Sequence, residues 1–366
     1  MSTENGFPAP AGPPPELNGG QPATPAPWQV PGYQQPPAYH QAPPAPPRTR
    51  NPAGPLPYHR LGRAWAGYRW YKPLLVGLIA VGLYVGALFL LTLAGFFAAL
   101  LNPVFAGQLA GLDDALLNMD MTNPLVFVLS LGTIILMLPA ILLATRILGA
   151  RPTGLLSSVA GRLRWGWLGC CLAMALGVMA VSYTISFIIG TIQGEPFAPE
   201  FGSGRMWLMI GLTLLLVPVQ AAAEEYVFRG YLMQCIGGWL RHPAFAIALP
   251  IPLFVFGHDY DLYGQLDVGL FALAAGWISW RTGGLEAALG LHIVNNVVIF
   301  GLGAVALADV NAKAGSLPSL IASALTMGAY VWVVVHVATR RKIARLREPE
   351  PGKLRPAPWQ RPAVSG

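Results

Sequence analysis

Long apolar runs recur along this chain, separated by short polar loops, and the first begins only near Pro73. They place helices near 73–100, 124–149, 165–190, 206–234, 243–258, 266–282, 284–308 and 316–338. A bilayer crossing needs about 20 apolar residues, and most of the runs reach that length. The fifth and sixth are shorter, which suits helices held inside a bundle. Pro250 and Pro252 are expected to bend or interrupt the fifth. The expected fold is therefore all-α, a polytopic membrane helix bundle of about eight transmembrane helices. No cleavable signal pattern precedes the first run, which is read as an uncleaved signal anchor.

Composition supports the same class. Of 366 residues 54% are hydrophobic and 11% charged, and the mean hydropathy is +0.51. Soluble domains carry about a quarter charged residues. Residues 1–60 differ from the rest, with 18 prolines and few aliphatic side chains. Such a segment buries too little apolar area to offset its chain entropy, so it is read as a disordered proline-rich tail. Its patch "PWQVPGYQQPPAY" (27–39) is either a ligand for a proline-reading partner or a solvated stretch. The transmembrane domain is expected over 61–347, followed by a second disordered tail over 348–366. The ending "RPAVSG" carries no prenylation box of its own.

The net charge is +7, which raises nucleic acid as a partner. Its distribution argues instead for a lipid bilayer. Arg60, Arg63, Arg69 and Lys72 precede the first run; Arg146, Arg151, Arg162 and Arg164 follow the second; "RRKIARLR" (340–347) follows the eighth. Alternate loops hold Asp113, Asp114 and Asp120, then Glu195 and Glu200, then Asp259 and Asp261. By the positive-inside rule both termini face the cytoplasm of a cell-membrane protein, and an even number of crossings is required. Cys170, Cys171 and Cys235 have no disulfide or metal spacing and read as small hydrophobes, acylation of the first two being the alternative. No internal repeat is evident, which weakens an inverted-repeat transporter.

Three charges stand out in the fourth run, within "QAAAEEYVFRGYL" (220–232). A charge at mid-bilayer costs on the order of 3 kcal/mol even on the gentler insertion scale. Glu225 and Arg229 are spaced i,i+4 with the acid first, so they share a face and can pair. Glu224 lies about 140° round the helix from Arg229, which leaves it as the carboxylate to explain. Two further segments add polar residues to bare helices. "FVFGH" (254–258) sets Phe254 one turn before His258, and "LHIVNN" (291–296) stacks His292 and Asn296 on one face. Each alone reads as helix–helix glue. Three in successive apolar runs point to a site. No nucleophilic triad and no HExxH zinc motif can be named. A carboxylate in an apolar pocket is suited to take a proton from water, an imidazole can hold that water, and a second imidazole with a carboxamide can stabilise an oxyanion. These parts can hydrolyse an amide.

In motif order, "EEYVFR" (224–229), "FVFGH" (254–258) and "HIVNN" (292–296) resemble the EExxxR, FxxxH and HxxxN motifs of the CPBP intramembrane proteases, also called the Abi family, which includes the CAAX prenyl endopeptidases. The resemblance covers roughly residues 206–300. It implies a glutamate-dependent, metal-independent endopeptidase needing no cofactor, with a cavity opening to the cytosol and a membrane-associated peptide or protein substrate. Glu224 would be the general base and His258 would help orient the water. His292 and Asn296 would form the oxyanion hole. Glu225 and Arg229 would support the first motif, and Phe254 would pack beneath His258. Two other readings compete: a non-catalytic binding or self-immunity protein using the same polar hub, and a transporter with a Glu/His proton relay.

Overall fold

The computed structural model describes residues 54–64, 68–148 and 153–348; the patch at 27–39 and the second tail from 349 lie outside them. Helices occupy all eight expected positions. They are α1 Lys72–Leu101, α2 Pro124–Ile147, α3 Trp165–Ile192, α4 Gly204–Trp239, α5 Pro243–Phe256, α6 Leu262–Thr282, α7 Glu286–Ala304 and α8 Leu317–Arg340. Turn chemistry sets their starts. Asn123 caps α2 by accepting from the Leu125 and Val126 amides, with Pro124 at the first helical position. Ser203, Asp261 and Ser316 cap α4, α6 and α8 in the same way. Gly283, at φ +73°, closes α6 in the left-handed conformation that glycine adopts without penalty.

Six of the eight (α1, α2, α3, α4, α7 and α8) are long and apolar enough to cross a membrane. The chain is a multi-pass membrane protein. α5 is shorter than a crossing, and its break at Leu249–Pro250 divides it into Pro243–Ala248 and Ile251–Phe256, as its prolines led us to expect. α6 is long enough, but Gln265, Asp267 and Arg281 keep it less apolar than the six. The apolar residues on the outer faces, such as Leu78, Phe89 and Leu215, suit lipid contact.

α7 is the central helix, packed against α3, α4 and α6. Its approach to α3 depends on Gly290, where an added Cβ would lie 2.8 Å from the Cys171 Cβ. Around that crossing Cys171, Ala175, Ala287, Ala288, Leu291, Tyr330 and Val334 form a buried core. α8 lies on α3 and α6, whereas α1 packs chiefly against the second half of α2.

The chain on either side of the bundle meets at one end. β1 (Leu56–Pro57) pairs antiparallel with β2 (Leu346–Arg347), so the start of α1 and the end of α8 share a side, as an even number of crossings requires. The tail drawn to residue 60 overlaps this ordered cap: Tyr58 and His59, followed by Leu61, are buried in a 3₁₀ turn over Tyr58–Ala64. Their aromatic and aliphatic side chains supply the apolar area that the preceding proline-rich stretch lacks. Tyr58 donates to the Leu156 carbonyl at 2.5 Å, and Arg63 Nε to the Gly238 carbonyl at 2.6 Å. At the same end Arg164 clamps the buried Glu286, and its Nη1 donates to the Ala344 carbonyl.

Candidate active site

α4 carries the first cluster at a place where its own geometry changes. It is α-helical to Glu225, passes through a π-helical stretch over Tyr226–Leu232, and resumes as α-helix at Met233. Such π turns concentrate at functional sites, because the wider turn redirects the side chains that follow. Pro218 lies inside the same helix, one and a half turns before Glu224.

Glu225 is fully buried, and its Oε1 accepts from Arg229 Nη1 at 2.8 Å, the i,i+4 pair that the spacing anticipated. The same oxygen lies 2.8 Å from His292 Nδ1, which donates to it across the α4–α7 interface. Sequence spacing gave no sign of that second bond. Glu225 is therefore more than the partner of Arg229, since it fixes which nitrogen of His292 points away from it. The guanidinium of Arg229 sits over the Phe254 ring at 4.5 Å and donates to the Ala272 carbonyl at 3.4 Å.

Glu224 Oε2 is 3.4 Å from His292 Nε2 but makes no hydrogen bond among the described residues. The carboxylate is 8% exposed and His292 4%. One turn before Glu224 on α4 and one turn after His292 on α7, Asn296 Nδ2 donates to Gln220 Oε1 at 3.4 Å, and Asn296 Oδ1 accepts from Asn295 Nδ2 at 3.0 Å. The α4–α7 interface thus carries two polar rungs, Glu224 with His292 and Gln220 with Asn296. Gln220 was legible in the sequence, because it stands four residues before Glu224 on the same helical face.

His258 joins from α5. It lies just beyond the helix, where Nδ1–H donates to the Phe254 carbonyl at 2.8 Å. Its ring lies 4.9 Å from Phe254, whose ring also contacts Phe228, Phe271 and His292. Phe254 is the common surface on which Arg229, His258 and His292 are arranged, a wider role than packing beneath one histidine. Phe271 adds an edge contact to His292 at 4.9 Å. Tyr260 stacks on His258 at 6.2 Å. Burial pushes the Tyr260 hydroxyl upward, with the charges of Asp267 and then Glu224 adding to it. The loop is strapped by Lys313, whose ammonium pairs with Asp259 at 2.6 Å and whose carbonyl accepts from the Asp261 amide.

Sequence reading missed Gln220, Tyr260, Phe271 and Asp267. Asp267 had a signal, a lone acid in the sixth apolar run. Tyr260 and Phe271 had none, since aromatic residues make up 10% of the chain and are common in its helices. Among the described residues no group of three His, Cys, Asp or Glu is arranged to hold a metal ion.

The site contains an unpartnered carboxylate beside an imidazole, a second imidazole aimed by its own backbone, and a carboxamide one turn away. Residues 205–298 match the family model described as "Type II CAAX prenyl endopeptidase Rce1-like". The chain is also similar to the uncharacterized protein YyaK of Bacillus subtilis (strain 168), 28% identical over 265 residues, which is 70% of this chain and 83% of that protein. No solved structure matches. Over residues 205–298, where the three motifs lie, the chain carries an Rce1-like domain of the CPBP family.

Proposed function

We propose that the chain is an intramembrane endopeptidase that hydrolyses a peptide bond of a membrane-associated substrate, using Glu224 to activate water and no metal. The observation that carries this reading is the Glu224 carboxylate, buried, without a hydrogen-bond partner, and 3.4 Å from His292 Nε2 in an otherwise apolar bundle. The Rce1-like match supports the class of reaction and a protein substrate, either prenylated or a peptide precursor.

In this mechanism the water gives its proton to Glu224 as its oxygen bonds to the carbonyl carbon. His258 holds the water's other hydrogen: with Nδ1–H committed to the Phe254 carbonyl, Nε2 of the neutral ring is an acceptor. The oxyanion then takes hydrogen bonds from Asn296 Nδ2 and from His292 Nε2–H. Donation from Nε2 requires His292 to carry both protons, and Glu225 accepts the one on Nδ1. Glu224 passes its proton to the departing nitrogen as the C–N bond breaks. Both termini lie in the cytoplasm in this proposal, on the basic side of the bundle, in a cell membrane.

A second reading has its own observation. Glu225, Arg229 and His292 are so fully enclosed that they would also serve as a polar hub in a non-catalytic binding or self-immunity protein. Membranes carrying wild type, Glu224→Gln and Glu225→Gln at matched expression separate the two when new protein N-termini are compared. A specific cleavage that vanishes with Glu224→Gln supports the protease. Identical N-termini in all three, with the cellular phenotype intact, would sink it. Cleavage abolished by a zinc chelator and restored by zinc would overturn the metal-free step.

A further inference from the structure

Along α8, where Trp277 of α6 packs beside it, lies an open groove of about 550 Å³. Its walls are Trp277 from α6 and Gly328, Val331, Trp332, Val335 and His336 from α8, and Arg340 stands at its end. The volume falls in the range of about 300–1,000 Å³ typical of small-molecule sites. Gly328 faces this open space, since an added Cβ there would meet nothing within 4 Å. Trp332, 68% exposed, stacks on His336 with centroids 5.5 Å apart and planes 15° from parallel, which makes a flat apolar shelf.

Two features identify the occupant. The first is length. Gly328 to Arg340 spans about 18 Å at 1.5 Å per residue. That is close to the depth of one leaflet, about half of a 30 Å hydrocarbon core. The groove therefore runs from near the midplane to the headgroup level. The second is charge. Arg340 and Arg341 end α8, Lys342 follows, and Arg281 ends α6. Arg345 crosses beside Gly283, where a Cβ would meet its Cα at 2.8 Å. Among the described residues none of these five cations has an ion-pair partner, although Arg164 and Arg229 in the bundle both do. Burial lowers Arg345, and the neighbouring Arg281 lowers it further, the mark of two cations held together without a counter-charge.

We infer that the α6–α8 groove is a binding site for one anionic phospholipid, whose acyl chain lies on Trp332 and over Gly328 and whose phosphate headgroup is held by Arg340, Arg281 and Arg345. The ligand neutralises cations that no carboxylate among the described residues reaches. It also fills a groove between the helix that follows His258 and the helix after the Lys313 strap.

The test offers the full-length chain, purified in detergent, equimolar phosphatidylglycerol and phosphatidylcholine of identical acyl chains, and counts retained lipids by native mass spectrometry. The expected result is one phosphatidylglycerol per chain, favoured at least about tenfold over phosphatidylcholine. Arg340→Gln with Arg345→Gln should weaken retention by about fivefold per charge removed. Gly328→Leu projects into the open floor and should lower retention without lowering thermal stability, which separates a filled groove from a misfolded chain. Equal retention of the two lipids, or full retention by Gly328→Leu, would overturn the site. Millimolar inorganic phosphate should leave the lipid in place; if it displaced the lipid, the basic cluster would be a plain anion site and the acyl groove would be wrong.

Discussion

Two buried carboxylate clusters sit in this bundle and use their oxygens differently. Glu286, at the start of α7, is saturated. Its Oε1 accepts from the Arg164 backbone amide at 2.9 Å and from Nε at 2.8 Å, and its Oε2 accepts from Nη2 at 2.7 Å. The same guanidinium reaches the Thr282 and Ala344 carbonyls, so the pair ties α3, α6, α7 and the chain after α8 together. About one and a half turns along α7, Glu224 and Glu225 share His292 and Arg229, yet each has an Oε2 that is buried and without a hydrogen-bond partner. A bidentate, fully bonded carboxylate is a clamp, because every acceptor is already engaged. An under-bonded one retains acceptor capacity that only a further molecule can satisfy. The contrast separates the two clusters more sharply than charge or burial does, since both are charged and both are buried.

The strongest way to break the contrast is to exchange the two outcomes by mutation. Glu224→Gln should lower cleavage by about 10²–10⁴-fold while the protein keeps its thermal stability, as expected of a proton-transfer group. If activity survived, the under-bonded carboxylate would not be the base. Arg164→Ala should do the reverse. Leaving Glu286 buried and unpaired destabilises by about 3–5 kcal/mol, read by unfolding in detergent, while turnover per folded molecule stays unchanged. Glu225 tests the boundary between the classes, because it both anchors Arg229 and aims His292. Glu225→Gln should reduce both cleavage and stability, each by less than the dedicated variant does.

Smaller effects sharpen the same picture. Gly290→Ala would push α7 off Cys171 and so loosen both clusters, at about 1–3 kcal/mol by unfolding in detergent. Two buried histidines complete the comparison. His292 lies between carboxylates, whereas burial depresses His59, with Arg60 and His242 adding to the effect against the Arg241 carbonyl. With a lowered folded-state pKa, the unfolded chain binds more protons once pH drops below about 6.5, so stability is lost as pH falls through that value. Protection factors for the amides of Tyr58–Ala64, corrected for the intrinsic exchange rate at each pH, should therefore fall between pH 7.5 and pH 5, while a His59→Gln chain shows no such dependence.

Much of this protein was legible in its sequence. Eight apolar runs became eight helical segments, because helix length and hydrophobicity in a bilayer are local properties that a single run declares. The prolines of α5 broke it where they stand, since a missing amide hydrogen is local too. The Glu225–Arg229 pair followed from spacing along one helix. Other features needed two elements at once. The extension of order back through Tyr58 arises from packing on α4 and from pairing with Leu346–Arg347, partners almost 290 residues away. α6 sits in the bundle with Asp267 and Arg281, so it falls short of the hydropathy that marks the six more apolar spans.

The sequence by itself determined the class of protein, the order of its helices and the residue types gathered in 224–296. Only the tertiary structure decided which atoms meet. It turned His292 Nδ1 to Glu225 and Nε2 toward Glu224, placed one Phe254 ring against three polar groups, and set Gln220 beside Asn296. It also separated the saturated Glu286 from the unsaturated Glu224. The physical reason is that composition and periodicity fix which face of a helix a side chain occupies. Whether its hydrogen-bonding capacity is filled depends on the neighbouring helix and on how closely Gly290 lets that helix approach.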